Sequence, residues 1–513
     1  MKQARLSSLI PGGPFQAHPV QIQAVYRRGM PGFQISGYNG PRMRELADRI
    51  RLSLLASGYE FPLGHVQVHF SPNDLPKTGA FLDLAMAVVL LRCFADCCYE
   101  QPLLQTEGTL FAAELTLAGE LLGIPDCLTL CRQAKKHGFD RVVLAMSDLP
   151  KAALVPEIEI YGIATLAQLS QDIQSLEPYR PGRRMVQGQR PDLPLAPQKL
   201  DARSARALAA SASGWHSLLL FGPPGSGKST LARLLPALLA PPNDHEILDI
   251  LTVQPELFTK HDHATLQIAR PFRQPHHSIT RRSLIGGGTP LGPGELSRAH
   301  HGLLLLDELA EFQRGTLQSL REPLMDHCVH LARGSQSDSL PSRFLLAATT
   351  NPCPCGYIGS DEHHCQCPVP QVRNYATRLL GPLRDRIEIE LFCGNPDPGN
   401  DEPATTANEL LRLVQAAQER QRRRYRHLRW DFNGQVPLEA LEEFCPLQDS
   451  ASQDFFNEYI EEKRPSQRAL IALRRLARSL ADLDQSTEIR INDLVEAANW
   501  RVLDTFYLNL GIH

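Results

Sequence analysis

Residues Leu218 to Thr230 read LLLFGPPGSGKST. Four apolar residues end at a glycine, and Gly222, Gly227, Lys228 and Ser229 then satisfy the phosphate-loop pattern G-x-x-x-x-G-K-[ST]. The flanks have the required character, an apolar strand before the loop and the helical run STLARLLPALLA after it. The loop Gly222, Pro223, Pro224, Gly225, Ser226, Gly227, Lys228, Ser229, Thr230 is therefore read as a nucleotide cradle. Its glycines let backbone N–H groups wrap phosphate oxygens, and the helix start adds a favourable dipole. Lys228 is expected at the β- and γ-phosphates, and the Ser229 hydroxyl on Mg²⁺.

Downstream segments complete the expectation. GLLLLDEL puts Asp307 and Glu308 at the end of a second apolar strand, Leu303–Leu306. Asp307 is the expected Mg²⁺ holder and Glu308 the expected general base for the attacking water. A third apolar strand, Phe344–Ala348, leads to Asn351, whose amide is placed to hold that water. Short, near-continuously apolar strands alternating with helices between about 200 and 395 predict a parallel sheet buried on both faces.

Directly after Asn351 come four cysteines as two Cys-x-Cys pairs, Cys353/Cys355 and Cys365/Cys367. Four thiolates close a structural zinc site with no open position. His363 or His364 is an alternative for one ligand. Such a cage either braces Asn351 or projects as a binding knuckle, and both uses stand at this point. Cys93, Cys97, Cys98, Cys127 and Cys131 fall at helical spacing in apolar context and read as small core residues.

The remaining chain is consistent with several domains. A length of 513 residues exceeds one core; roughly 150 residues per domain predicts about three. A net charge of −3 neither points to nucleic acid nor excludes it, because a local basic channel disappears in the sum. The N-terminus lacks the apolar stretch of a signal peptide and no run reaches bilayer length, which predicts a cytoplasmic chain with reduced thiols. Residues 1–175 mix β-like runs (HVQVHF, RVVLAM, EIEIYGIA) with a helical one, RMRELADRIRLSLLASG. A Pro- and Arg-rich linker is predicted over 176–198, an α/β ATPase core over 199–395 with its cysteine insertion at 353–367, and a helical lid over 396–513. In ERQRRRYRHLR, Glu419 to Arg429, a solvated helix face packing by its arginine stems is expected.

The order of phosphate loop, Asp-Glu strand and strand-end Asn resembles the AAA+ ATPases. GGGTPLGPGELSRAHHGLLLLDELAEF is similar to their magnesium-chelatase-like branch, and PFRQPHH, GPGELSRAHHG and NPCPCGY together resemble the bacterial ComM/YifB family over essentially the whole chain. The resemblance implies a three-layer α/β core with a helical lid, and an ATP-driven ring, a hexamer, acting on DNA. It implies a branch-migration helicase that promotes integration of incoming DNA during natural transformation and homologous recombination, with recombination proteins as further partners. A chelatase-type ATPase subunit and a protein-remodelling ATPase are the alternatives.

Residue by residue, the resemblance implies a finger arginine in GPLRDRIEI, where Arg386 holds the position and Arg384 replaces a leucine, and a second sensor at Arg468 in PSQRAL. It implies that the hairpin in MDHCVHLARGSQSDSLPSRF, with Arg333, points into the pore, and that Arg273, His276, His277, Arg281 and Arg282 lie on a loop able to follow a phosphate backbone. VHFSPNDLPKTGAFLDLAMAV is similar to the Lon proteolytic domain around its serine. Lys77 and Gly79 match, but Phe81 stands at the serine position, so a Lon-like α+β fold without protease chemistry is expected.

Overall fold

The structure is a computed structural model. It describes residues 1–37, 43–72, 80–98, 106–170, 176–180, 186–193, 199–258, 266–288, 291–333, 336–360, 363–380, 383–394 and 405–510. The chain folds as two compact units. The first joins Met1–Gln187 with Ile247–Gln267 and Gly334–Leu340; the second joins Gly188–Glu246, Ile268–Arg333 and Pro341–His513.

In the first unit, strands Lys2–Gly13, Gln16–Arg27, His65–Ser71 and Gly32–Ser36 form one sheet in that spatial order. Its last pair is parallel and the others antiparallel. A second, parallel sheet holds Thr109–Ala112, Arg141–Ala145 and Glu159–Ile163. The helix Asp83–Cys98 packs on the first two strands. Its first residue, Asp83, is buried against Arg49 with oxygen–nitrogen distances of 2.9 and 3.1 Å. Burial pushes this carboxyl up to about 6 despite the partner. Phe81 is buried in the same core, while Lys77 and Gly79 lie outside the described residues. Cys93, Cys127 and Cys131 are buried as expected; the side chains of Cys97 and Cys98 lie outside the described set. Within the stretch read as linker, Val186–Gln189 forms a short strand.

The second unit is built on a five-stranded sheet ordered Phe272–Arg273, Leu303–Leu306, Leu345–Thr350, Leu218–Phe221, Ile389–Phe392. Every neighbouring pair is parallel. The middle strands are buried end to end, including the two threonines that close Leu345–Thr350. The third strand runs two residues past the expected Ala348, because Thr349 and Thr350 continue its pairing with the phosphate-loop strand. The helix expected after the loop is broken into Lys228–Ala232 and Leu235–Leu238. Pro236 explains the break: its missing N–H and its ring disfavour a continuous turn from Ala232. Within the stretch expected to form a hairpin, this unit holds the strand Cys328–Arg333, while the strand Gln336–Pro341 belongs to the first unit up to Leu340.

After residue 405 the described elements are almost wholly helical, with Ala407–Arg424 and Gln467–Leu483 packed against Ala202–Gly214. The basic run at the end of Ala407–Arg424 divides by role. Arg422 and Arg423 are exposed beside Glu419. Arg424 instead reaches the buried Asp482 with bonds of 2.5 and 2.8 Å. Asp482 also accepts from Arg478 at 3.1 Å and from Asn433 at 2.9 Å. No helix among the described residues is long and apolar enough to cross a membrane.

Asp482 is the only carboxylate among those bonds and faces two arginines. Asp482→Ala strands both cations, so a loss of about 3–5 kcal/mol is expected. Thermal unfolding checks this, and an unchanged midpoint contradicts the assignment of this network to stability.

Candidate functional site

The parallel sheet brings three strand ends together. The phosphate loop leaves Phe221, and the adjacent strand ends at Thr350 just before Asn351. One strand further, Leu306 leads into Asp307 and Glu308. Gly225 and Gly227 take φ of 81°, a left-handed conformation that suits glycine. Gly222 passes so close to the last sheet strand that a Cβ would meet the Cys393 carbonyl oxygen at 2.1 Å.

Lys228 starts the following helix, and its ammonium caps the loop from within. It donates to the carbonyls of Gly222 at 2.9 Å and Pro223 at 2.7 Å and reaches the Ser226 hydroxyl at 3.4 Å. Burial lowers its proton affinity, opposed by Cys393 and Asp307. Ser229 Oγ donates to Asp307 Oδ1 at 2.8 Å, so the two expected Mg²⁺ ligands already meet. Gln274 Nε2 lies 3.3 Å from the other Asp307 oxygen. These groups fit a nucleotide with its cation: a backbone cradle, one ammonium, and a hydroxyl–carboxylate pair.

Glu308 sits in a left-handed conformation, φ 57° and ψ 53°, which turns its side chain out of the strand. Its N–H donates to Thr349 Oγ1 at 3.2 Å, and the same hydroxyl donates to Asp307 Oδ1. Its carboxylate lies 3.3 Å from His277 Nδ1. The His277 ring lies against His276, tilted by 35° with ring centroids 4.0 Å apart. Sequence reading took His277 as a DNA candidate; its placement is beside the general-base candidate. Arg273 is paired to Glu295 at 2.6 and 2.8 Å. His276, Arg281 and Arg282 are exposed, the two arginines opening a short helix capped by Thr280. The side chains of Arg333 and Arg384 lie outside the described residues. Arg386 is half-buried, and burial together with the nearby charges of Arg468 and Arg321 lowers its proton affinity. Arg468 itself is exposed at the start of the helix Gln467–Leu483.

The four cysteines converge. Cys353 Sγ lies 3.4 Å from Cys355 Sγ and 3.7 Å from Cys365 Sγ, Cys355 and Cys365 are 3.6 Å apart, and all four ligand atoms fall within 4.8 Å of one another. A tetrahedron of ~2.3 Å zinc–sulfur bonds has edges of about 3.8 Å. The donor set and spacing thus fit zinc. Burial pushes the Cys353 thiol up to about 12. At Cys355 burial acts in the same direction, but hydrogen bonds from the Tyr357 and Gln366 backbone and from neighbouring thiols outweigh it and bring the thiol down to about 6. His363 and His364 are exposed and outside the cluster; His363 packs edge-on to Tyr357.

Residues 198–398 match the family of magnesium chelatase subunit ChlI, 22–148 match the ChlI subunit family, and 404–501 match the ChlI C-terminal family. The chain is 31% identical to YifB of Escherichia coli K12, described as uncharacterized, over 96% of both chains. It is also 31% identical to the competence protein ComM of Haemophilus influenzae, over 95% of both. The chain belongs to the ComM/YifB family of magnesium-chelatase-like proteins. Membership implies an AAA+ ATPase with ATP and Mg²⁺ as ligands.

Three site-forming residues were missed by sequence reading. Gln274 lay in a motif read for DNA, Thr349 was a strand residue without a motif, and Tyr507, whose hydroxyl donates to the Pro352 carbonyl at 2.6 Å, sat 155 residues from its partner. Thr349 ties the Asp307 carboxylate to the Glu308 backbone through one hydroxyl. Thr349→Val keeps its shape and removes both bonds, so ATPase activity should fall about 10–100-fold, the usual effect of losing an outer-shell partner. Steady-state turnover near the parental rate contradicts this role.

Proposed function

We propose that this chain is the subunit of an ATP-driven AAA+ ring, a hexamer, that moves on DNA. Its specific task is branch migration of recombination intermediates during uptake and integration of incoming DNA, in the cytoplasm. The observation that carries the motor half is the meeting of Ser229 with Asp307 beside the phosphate loop that Lys228 caps, with Glu308 in a left-handed turn at the end of the adjoining strand. The DNA half is supported by likeness to a protein named for competence.

In this reading Lys228 and the loop N–H groups bind the phosphates. Ser229 and Asp307 hold Mg²⁺, and Glu308 orients water and accepts its proton, with Asn351 beside it. Bound ATP supplies the phosphoryl group transferred to water. Arg386 and Arg468 act on phosphate at a subunit junction, which accounts for two arginines placed where their charges repel. The zinc of Cys353, Cys355, Cys365 and Cys367 is structural. Residues 1–175 act as a Lon-like collar without protease chemistry, and 396–513 as the lid. Arg281, Arg282, His276 and Arg333 remain the candidates for backbone contacts, with Arg273 and His277 turned to partners within the chain.

Lys228→Ala should abolish nucleotide binding, whereas Glu308→Gln should bind ATP and stall. Arg386→Ala should bind ATP but hydrolyse it slowly; a trans arginine is worth roughly 10³–10⁵-fold in related chemistry. Mixing the Glu308→Gln and Arg386→Ala proteins should restore part of the DNA-stimulated turnover, because unlike subunits then form some complete sites. No recovery in verified mixed rings contradicts the shared site, and no stimulation of the parent by DNA contradicts the substrate.

A further inference from the structure

The cysteine cage is wedged between the nucleotide loop and the C-terminal helix. Its first turn wraps the sulfurs: Ile358 N–H donates to Cys353 Sγ at 3.4 Å, and Cys355 N–H donates to Cys367 Sγ at 3.3 Å. At the crest of this turn Gly356 is buried, with φ of 87° and its N–H on the Cys353 carbonyl at 3.0 Å. A Cβ there would lie 2.7 Å from both Cγ and Cδ of Pro224, and 3.6 Å from the Asn351 amide carbon. Backbone of the cage therefore packs directly on the ring of a nucleotide-loop residue.

The opposite side is anchored. Tyr507 Oη donates to the carbonyl of Pro352, the residue before the first cysteine, at 2.6 Å. A Cβ on Gly359 would meet the Phe506 ring at 3.0 Å. The helix carrying both aromatics, Leu503–Asn509, is fixed to the sheet. Leu503 N–H donates to Glu390 Oε2 at 2.8 Å, and Phe506 packs on Phe221 and Phe392 at ring distances of 5.4 and 5.1 Å. Phe221 is the last residue of the phosphate-loop strand.

We propose that the cage is a clamp on the nucleotide site: a thiolate-bound divalent cation holds the turn at Gly356 against Pro224 and thereby raises nucleotide affinity, with Tyr507 as the positioning residue behind the turn. The proposal rests on the zinc reading above. Metal binding supplies the order of such a loop, and losing it leaves four thiols with no shared bond. The ordering of the Pro224 segment then falls on the nucleotide, which binds more weakly. Linkage makes the effect reciprocal, so bound nucleotide must tighten zinc by the same factor, typically 5–150-fold. A cage serving only as a DNA knuckle has no such coupling.

The test measures zinc affinity of the full chain by competition with a chromogenic chelator, with and without saturating Mg-ADP at fixed free Mg²⁺. Elemental analysis comes first: well under one zinc per chain overturns the zinc reading and the clamp together. With zinc present, ADP should raise its affinity at least ~5-fold in the parent. Lys228→Ala, which lacks nucleotide binding, should show no shift and controls for chelation by ADP itself. Tyr507→Phe removes one hydroxyl and should shrink the shift; Pro224→Ala should shrink it further while zinc remains bound. Equal zinc affinity with and without ADP in the zinc-loaded parent overturns the clamp and leaves the structural zinc standing. An undiminished shift in both variants overturns the route through Pro224 and Tyr507.

Discussion

The bond from Ser229 Oγ to Asp307 Oδ1 spans a whole strand. Ser229 follows the strand Leu218–Phe221, Asp307 follows Leu303–Leu306, and Leu345–Thr350 lies between them. The contact therefore requires the parallel sheet in its observed order. Two oxygens suited to one cation, next to a loop capped by an ammonium, are the arrangement that a nucleotide with Mg²⁺ needs. The buried strands fix those ends in space, and the turns beyond them are free to carry chemistry.

Thr349 shows how this constraint spreads. Its hydroxyl joins the Asp307 carboxylate to the Glu308 backbone, where the chain turns left-handed. His277 then meets the outturned Glu308 from the loop after the edge strand. The helix carrying Arg468 is bound through Asp482 to Arg424 of another helix.

Much of this was legible in the sequence because the motifs are short and local. The loop Gly222–Ser229, the Asp307–Glu308 pair and the two Cys-x-Cys pairs each combine a turn with an apolar strand, and the strands Leu218–Phe221 and Leu303–Leu306 fall where an unbroken apolar run places them. What escaped was set by distance along the chain. Nothing local to Tyr507 announces Pro352, and nothing local to Pro224 announces Gly356. The helix break at Pro236 was readable but was outweighed by the apolar run around it. The contact of His277 with Glu308 was not legible either, because a basic, Gly-rich segment suggests phosphate backbone and gives no sign of a carboxylate 31 residues further along the chain.

The central claim is that ATP hydrolysis at this site drives movement of DNA branches. The direct measurement follows a synthetic four-way junction with homologous arms, end-labelled, in the presence of the purified full chain, ATP and Mg²⁺. Resolution of the junction into duplex products that requires ATP, and is lost with Glu308→Gln, is the predicted result. Active ATP turnover by the parent protein with junctions left intact contradicts the account.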